Sequence, residues 1–184
     1  MSSLTADWTS SWYWLWNLAA FAVAIPLNSF VEYGAHRFVM HRRFWLLPYG
    51  YLHTTSHHAR FGSDDSYYAK TDEDRDHIRF TWKEYVLFPL FCLIAYAPVE
   101  LLVGRPILIG ILAATFVGLQ GFNSLHWRFH VLGDTWFQRT RFFRFLKEHH
   151  RLHHLDMTRN FNVYFFPLAD WCFKTLQLGG AGRK

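Results

Sequence analysis

The sequence predicts an all-α integral membrane protein, with about three transmembrane helices and a helical cap on the cytosolic face. Three observations predict it: three long apolar runs, a skewed placement of basic residues, and four clusters of histidine. Hydrophobic residues make up 51% of the 184 and aromatics 20%, yet the mean hydropathy is near zero. A few spans beside a polar remainder produce that combination, and the length suits a single domain over residues 1–184. The net charge of +5 would suit nucleic acid. However, the basic residues flank apolar runs, where they set topology and meet anionic headgroups, and no nucleic-acid-binding motif is present. Cys92 and Cys172 give no disulfide framework. No Lys or Arg precedes the first apolar run, unlike a secretory signal.

The first run is Trp12 to Val31, twenty residues or about 30 Å as a helix, enough to cross a bilayer. Trp8, Trp12, Tyr13, Trp14 and Trp16 form an aromatic belt at its start; Pro26 interrupts it, and Asn28 and Glu32 mark its polar end. Phe44 to Leu52 is apolar but too short to span, and reads as an interfacial or re-entrant piece. Residues 59–80 are rich in acids but lack a Glu-x-x-His pattern, so a solvated loop or helix start is expected. Tyr85 to Val103 and Ile107 to Leu125 are the second and third spans. The tight Gly104-Arg105-Pro106 turn joins them as a hairpin, with Gly110, Gly118 and Gly121 as close-packing positions. Trp136 to Leu146 reads as an interfacial amphipathic helix. Phe161 to Leu178 is expected not to span but to fold over the membrane surface or over the metal site that the histidine clusters below suggest.

Topology follows from charge. Glu32 to Thr81 carries seven Lys or Arg and Asn123 to the C-terminus ten, whereas the hairpin turn carries only Arg105. The positive-inside rule then places the N-terminus outside and all histidine clusters in the cytoplasm, whether the membrane is the bacterial inner membrane or the endoplasmic reticulum.

The clusters are E-Y-G-A-H-R-F-V-M-H at 32–41, H-T-T-S-H-H at 53–58, H-W-R-F-H at 126–130 and H-H-R-L-H-H at 149–154. They hold eleven of the twelve histidines, leaving His77 alone. Imidazole is the commonest nitrogen ligand for zinc, copper, iron and nickel. A set this large exceeds the four ligands of one tetrahedral zinc, so two metals are the simplest arithmetic. The expected ligands are His36, His41, His53, His57, His58, His126, His130, His150, His153 and His154, with one of His149 and His150 left out. Residues three or four apart share a helix face, so His126 with His130, and His150 with His153 and His154, can each grip one ion. Adjacent His57 and His58 point apart and suit different ions. His36 and His41, five apart, need a distorted helix end or one ion each. Glu32 lies four residues before His36 and can accept the free N–H of a bound imidazole; Asn123, three before His126, is a candidate to hold a ligand or a water.

These motifs resemble the membrane-bound fatty acid hydroxylase and sterol desaturase superfamily, and the resemblance extends to P-L-A-D-W-C-F-K-T at 167–175. The H-R-F-V-M-H form is most similar to the fatty acid 2-hydroxylase branch. The resemblance implies two iron ions, dioxygen, two electrons and oxygen insertion into a lipid C–H bond. Zinc is the expected substitute in purified protein, since it outranks ferrous iron at nitrogen sites. No haem electron-carrier domain accompanies the motifs, so a separate electron-donor protein is expected. Two departures stand out. The second cluster has three residues after its first His where that branch usually has two, and Lys174 stands where the superfamily usually has Gly. The sequence holds no G-x-S-x-G, and no H-E-x-x-H of a zinc hydrolase. A lipid desaturase on the same scaffold, a membrane zinc hydrolase and a non-enzymatic metal-binding protein are the alternatives.

Overall fold

The computed structural model describes residues 9–42, 53–163 and 166–179. Among them every regular element is a helix or helical turn: α1 (Ser11–Gly34), α2 (Asp72–Asp76), α3 (Trp82–Val103), α4 (Leu108–His130), α5 (Arg141–Leu155) and α6 (Leu168–Cys172). The expected piece at Phe44 to Leu52 lies outside the described residues. Among the described residues three helices are long and apolar enough to cross a membrane: Ser11–Met40, Trp82–Val103 and Leu108–His130. The chain resolves into two compact units, Met1–Asn28 with Phe80–Gln120 and Ser29–Arg79 with Gly121–Lys184.

The first unit is apolar outside as well as inside. Ile94 and Leu102 are 68% and 87% exposed, a surface that suits lipid better than water. Its buried centre is Ala24, Ile111 and Ala114, with Ala20, Phe21 and Ile25 against it. At Gly110 a Cβ would stand 2.0 Å from the Asn17 carbonyl oxygen, so only glycine permits the approach. The same residues bond: the Gly110 N–H donates to Asn17 Oδ1 at 2.8 Å. Asn28 likewise donates to the Ala114 carbonyl at 3.0 Å. In an apolar setting such bonds satisfy amides that would otherwise be costly to bury.

Both hairpin helices are longer than their apolar runs. Thr81 and Glu84 form a capping box, which starts α3 before the first strongly apolar residue. Gly104, at φ 64°, closes α3 with its N–H on the Glu100 carbonyl, as a left-handed cap requires. The Glu100 carboxylate then accepts from the N–H groups of Ile107 and Leu108 at 2.7 and 2.8 Å, capping the start of α4. At its other end α4 continues past Leu125 to His130, so the third histidine cluster is its last turn.

The second unit is polar and histidine-rich. The acids of residues 59–80 go into caps and ion pairs: Thr71 and Asp74 form a capping box on α2, and Arg60 pairs with Glu73 and Asp74, each at 2.8 Å. The stretch at Trp136 to Leu146 is a turn followed by α5, which Thr140 caps through the Phe143 N–H. Phe143 and Leu146 face inward while Arg141 and Arg144 are exposed, and the same helix carries the fourth cluster.

Candidate metal centre

Two groups of five histidines converge in the second unit: His36, His41, His53, His58 and His153, and His57, His126, His130, His150 and His154. Within each group the ring nitrogens lie within 4.8 Å of one another. The groups abut, with ring centroids of His58 and His154 4.3 Å apart and those of His53 and His57 4.8 Å apart. The ten histidines that spacing singled out are the ten brought together.

Local backbone explains the sorting. From Ala35 to Met40 the chain leaves α geometry for a wider π turn, in which the His41 N–H donates to the His36 carbonyl at 3.1 Å. A π turn puts residues five apart on one face, so His36 and His41 serve one group. His53 to His58 is a second π turn. It absorbs the additional residue of the second cluster, and His53 and His58 share the group that His57 leaves. On α5, His150 and His154 are four apart and stay together, while His153 turns to the other group. The expectation that His150, His153 and His154 grip one ion thus gives way to a split. The physical reason is the 100° step between adjacent helical residues: the doublets His57-His58 and His153-His154 each give one ring to each group.

The ring hydrogen bonds identify the tautomers. A carbonyl only accepts, so a ring nitrogen that faces one carries the proton. Nδ1 of His57, His126, His130, His153 and His154 donates to the carbonyls of His77, Ile78, Tyr67, Arg159 and Phe61, at 3.3, 3.1, 2.7, 2.6 and 2.6 Å. His36 Nδ1 donates to the Phe161 carbonyl. His41 Nδ1 meets Thr54 Oγ1 at 3.1 Å, and that hydroxyl passes its own proton to the Met40 carbonyl. Burial first, and neighbouring imidazoles second, depress the pKa of His53, His57, His58, His150, His153 and His154 and bring His41 to about 3. These rings are neutral at physiological pH.

Neutral rings protonated at Nδ1 present a bare lone pair at Nε2. The Nε2 atoms of His126 and His57 stand 3.1 Å apart and those of His57 and His154 3.3 Å apart. No proton lies between them, so these contacts are not hydrogen bonds but facing lone pairs. The same holds for His41–His153, at 3.0 Å. The Nε2 atoms of His130–His150, His154–His150, His36–His53 and His58–His53 approach as closely, at 3.1 Å each. Such contacts repel unless a cation sits among them. Two nitrogens about 2.1 Å from a shared ion, at a right angle, stand about 3.0 Å apart. The residues therefore fit metal ions, one for each group.

His77 is exposed and contributes only its carbonyl. His149 stays outside both groups and pairs with Asp170, Nε2 to Oδ2 at 3.3 Å. Asp170 is buried and also accepts from the backbone of Phe161 and Asn162 and from the Thr175 hydroxyl, at 2.9, 2.7 and 2.7 Å. Burial raises its pKa, but the bonds from His149, Asn162 and Thr175 outweigh that and leave it lowered. This carboxylate ties down residues 159–163, the strap whose carbonyls hold His153 and His36. Asn160 pins the strap from the other side, donating to the His149 carbonyl at 3.0 Å. Glu32 sits one link further out than expected for a partner of His36: it accepts from Asn162 Nδ2 and the Val163 N–H, at 3.1 and 2.6 Å. Asn123 lines a surface cleft on α4.

Asp170 is the residue that spacing arguments pass over. Its signal is the 167–175 motif, where it stands far from any histidine in the chain. The Lys174 departure also has a structural meaning, because Lys174 lies at φ 57°, in the left-handed region where glycine is at ease.

No curated protein and no solved structure matches the chain. A family model, fatty acid hydroxylase, matches residues 21–175, a range that contains all ten converging histidines and Asp170. With that coverage, and with histidine groups that could hold metal ions, the chain belongs to the fatty acid hydroxylase family.

Proposed function

We propose that the protein is a membrane di-iron oxygenase that hydroxylates a C–H bond of a fatty acyl-type lipid. The observation that supports this reading best is the set of facing Nε2 lone pairs in two abutting groups, an all-nitrogen donor set sized for two ions. Imidazole suits iron, and the family is one of lipid-modifying membrane enzymes. When bound, two irons would supply the activation of dioxygen. The balance is one oxygen atom into the C–H bond and one into water, with two electrons and two protons from a separate donor protein.

The chain's own residues do the rest. His36, His41, His53, His58 and His153 would hold one ion and His57, His126, His130, His150 and His154 the other. The carbonyls of Tyr67, Ile78, Phe61, His77, Arg159 and Phe161 keep the proton on Nδ1 and so aim each Nε2 inward. Phe61, Phe129 and Tyr67, all buried, exclude water from the second group. We read residues 1–184 as one functional domain with its metal centre on the cytoplasmic face, as the charge distribution favours. The form of the first cluster favours hydroxylation over desaturation, and the 2-hydroxylase branch within it.

The test supplies iron-loaded protein with a reductant, a lipid extract and labelled dioxygen. Hydroxylated lipid carrying the label is the expected product. Label entering only from water would sink the oxygenase reading, and unlabelled new double bonds would promote the desaturase. Tags at the N-terminus and at Lys184 should be accessible from outside and inside respectively.

A further inference from the structure

A second constructed site lies outside the histidine groups. Arg79, Asn123, Ser124, Trp127 and Arg128 line a cleft of about 290 Å³. Asn123, Ser124, Trp127 and Arg128 form one strip along the last turns of α4, at positions i, i+1, i+4 and i+5. Arg79 comes from the segment before α3 and is set in place by its neighbour: the buried Ile78 offers its carbonyl to His126 Nδ1 at 3.1 Å. The Arg79 guanidinium then lies 4.0 Å from the centre of the Trp127 ring, a contact that holds its N–H fork in place. Arg128 spends one N–H on the Ser124 carbonyl at 2.9 Å, which lays its side chain along the same strip.

The lining has two guanidinium groups, an indole, an amide and a hydroxyl, and no carboxylate. Such a surface repels cations and suits a compact anion with several acceptor oxygens. Guanidinium forks match phosphate oxygens two at a time. The place in the chain agrees. Trp127 and Arg128 end one helix of bilayer length, and Arg79 precedes another by three residues. Lipid phosphates lie at the ends of such helices.

We infer that this cleft is a binding site for a phosphate group, carried by a lipid headgroup or as the free anion. The site is separate from the histidine groups and does not depend on the reaction they perform. The full metal-loaded chain, in neutral detergent, is titrated calorimetrically with dihexanoyl phosphatidic acid, dihexanoylglycerol and inorganic phosphate. Phosphatidic acid is expected to bind and dihexanoylglycerol not. Replacing both arginines (Arg79→Gln with Arg128→Gln) is expected to weaken phosphatidic acid binding by about tenfold or more. Trp127→Leu removes the stack but no charge, and should weaken it by about threefold. Arg139→Gln, an equal loss of charge at a guanidinium already paired with Asp134, should change nothing. Competition by inorganic phosphate at matched concentration assigns the free anion; its failure assigns the headgroup. Unchanged affinity in the double variant, or equal weakening by Arg139→Gln, overturns the site. Metal content of each variant separates loss of the cleft from loss of the fold. Should the double variant not fold, Arg79→Gln alone, at an exposed position, carries the same comparison.

Discussion

The two histidine groups have the same number and kind of donor but different cover. In the group of His57, His126, His130, His150 and His154 every ring is buried; in the other, only His36 and His153 are, while His41, His53 and His58 are half-buried. The difference follows from the elements that supply the rings. The sealed group draws four of its five from the C-terminal turns of α4 and α5, roofed by Phe61, Tyr67 and Phe129. The open group draws four from the two π turns, at the edges of helical structure. Rigid helices make a dry floor, and turns make an accessible rim. The proposed reaction, between a small gas and a long apolar substrate, would use both.

The sharpest way to test that contrast is to remove one ring from each group. His154→Ala should cost about 3 kcal/mol of stability, since it opens a cavity and leaves the Phe61 carbonyl unmatched, and should lower metal content from two ions per chain to one. His41→Ala should lower metal content equally but cost only about 1 kcal/mol. Thermal unfolding with metal analysis checks both, and equal destabilisation would erase the distinction. Asp170→Asn comes next. It loses the acceptor for at least one of its backbone or His149 partners and loosens the strap, at about 2 kcal/mol. Because the strap carbonyls of Phe161 and Arg159 hold His36 and His153, both in the open group, that group should lose its ion first on titration with chelator. Loss of both ions together would show that the strap supports the whole centre.

A pH profile examines the cover itself. In the folded chain His53, His57, His58, His150, His153 and His154 have lowered pKa values, and His41 is brought to about 3, against about 6.5 when unfolded. The unfolded state therefore binds more protons below about pH 6.5, and stability must fall as pH drops through that value toward the folded pKa. Each titrating ring adds up to about 1.4 kcal/mol per pH unit, so metal-free protein should be weakened by at least about 2 kcal/mol between pH 7 and pH 5. A flat profile over that window would mean that the rings are solvated. The smallest effect is a gain. Lys174→Gly should stabilise by about 1 kcal/mol, since a left-handed φ of 57° is strained for lysine and free for glycine; calorimetry resolves a change of that size.

Much of this was legible in the chain. Apolar runs gave three spans because length and hydropathy suffice for that, although α3 began earlier through its Thr81–Glu84 cap and α4 ran on through the third cluster. Spacing found all ten converging rings, and it posed the right alternative for His36 and His41, a distorted helix end. The assignment of His153 was not legible: it depends on where residues 53–58 fold back, and no local spacing encodes that. Asp170 and its bond to His149 join two segments about twenty residues apart, and a lone Asp between Ala and Trp carries no mark of burial. The four-residue step from Glu32 to His36 was legible, but the Phe161 carbonyl that His36 Nδ1 faces was not, since it lies 125 residues on.

That use of the backbone has a genetic consequence. Six of the ring supports are carbonyl oxygens, of Phe61, Tyr67, His77, Ile78, Arg159 and Phe161. Every amino acid supplies a carbonyl, so no codon change deletes one. At exposed His77 the side chain is free to drift through inheritance while the oxygen behind His57 stays where it is. A substitution screen would then report His77 as dispensable, although the position holds the ring of His57 in line. The supports of this centre are inherited with the fold and leave little trace in the letters.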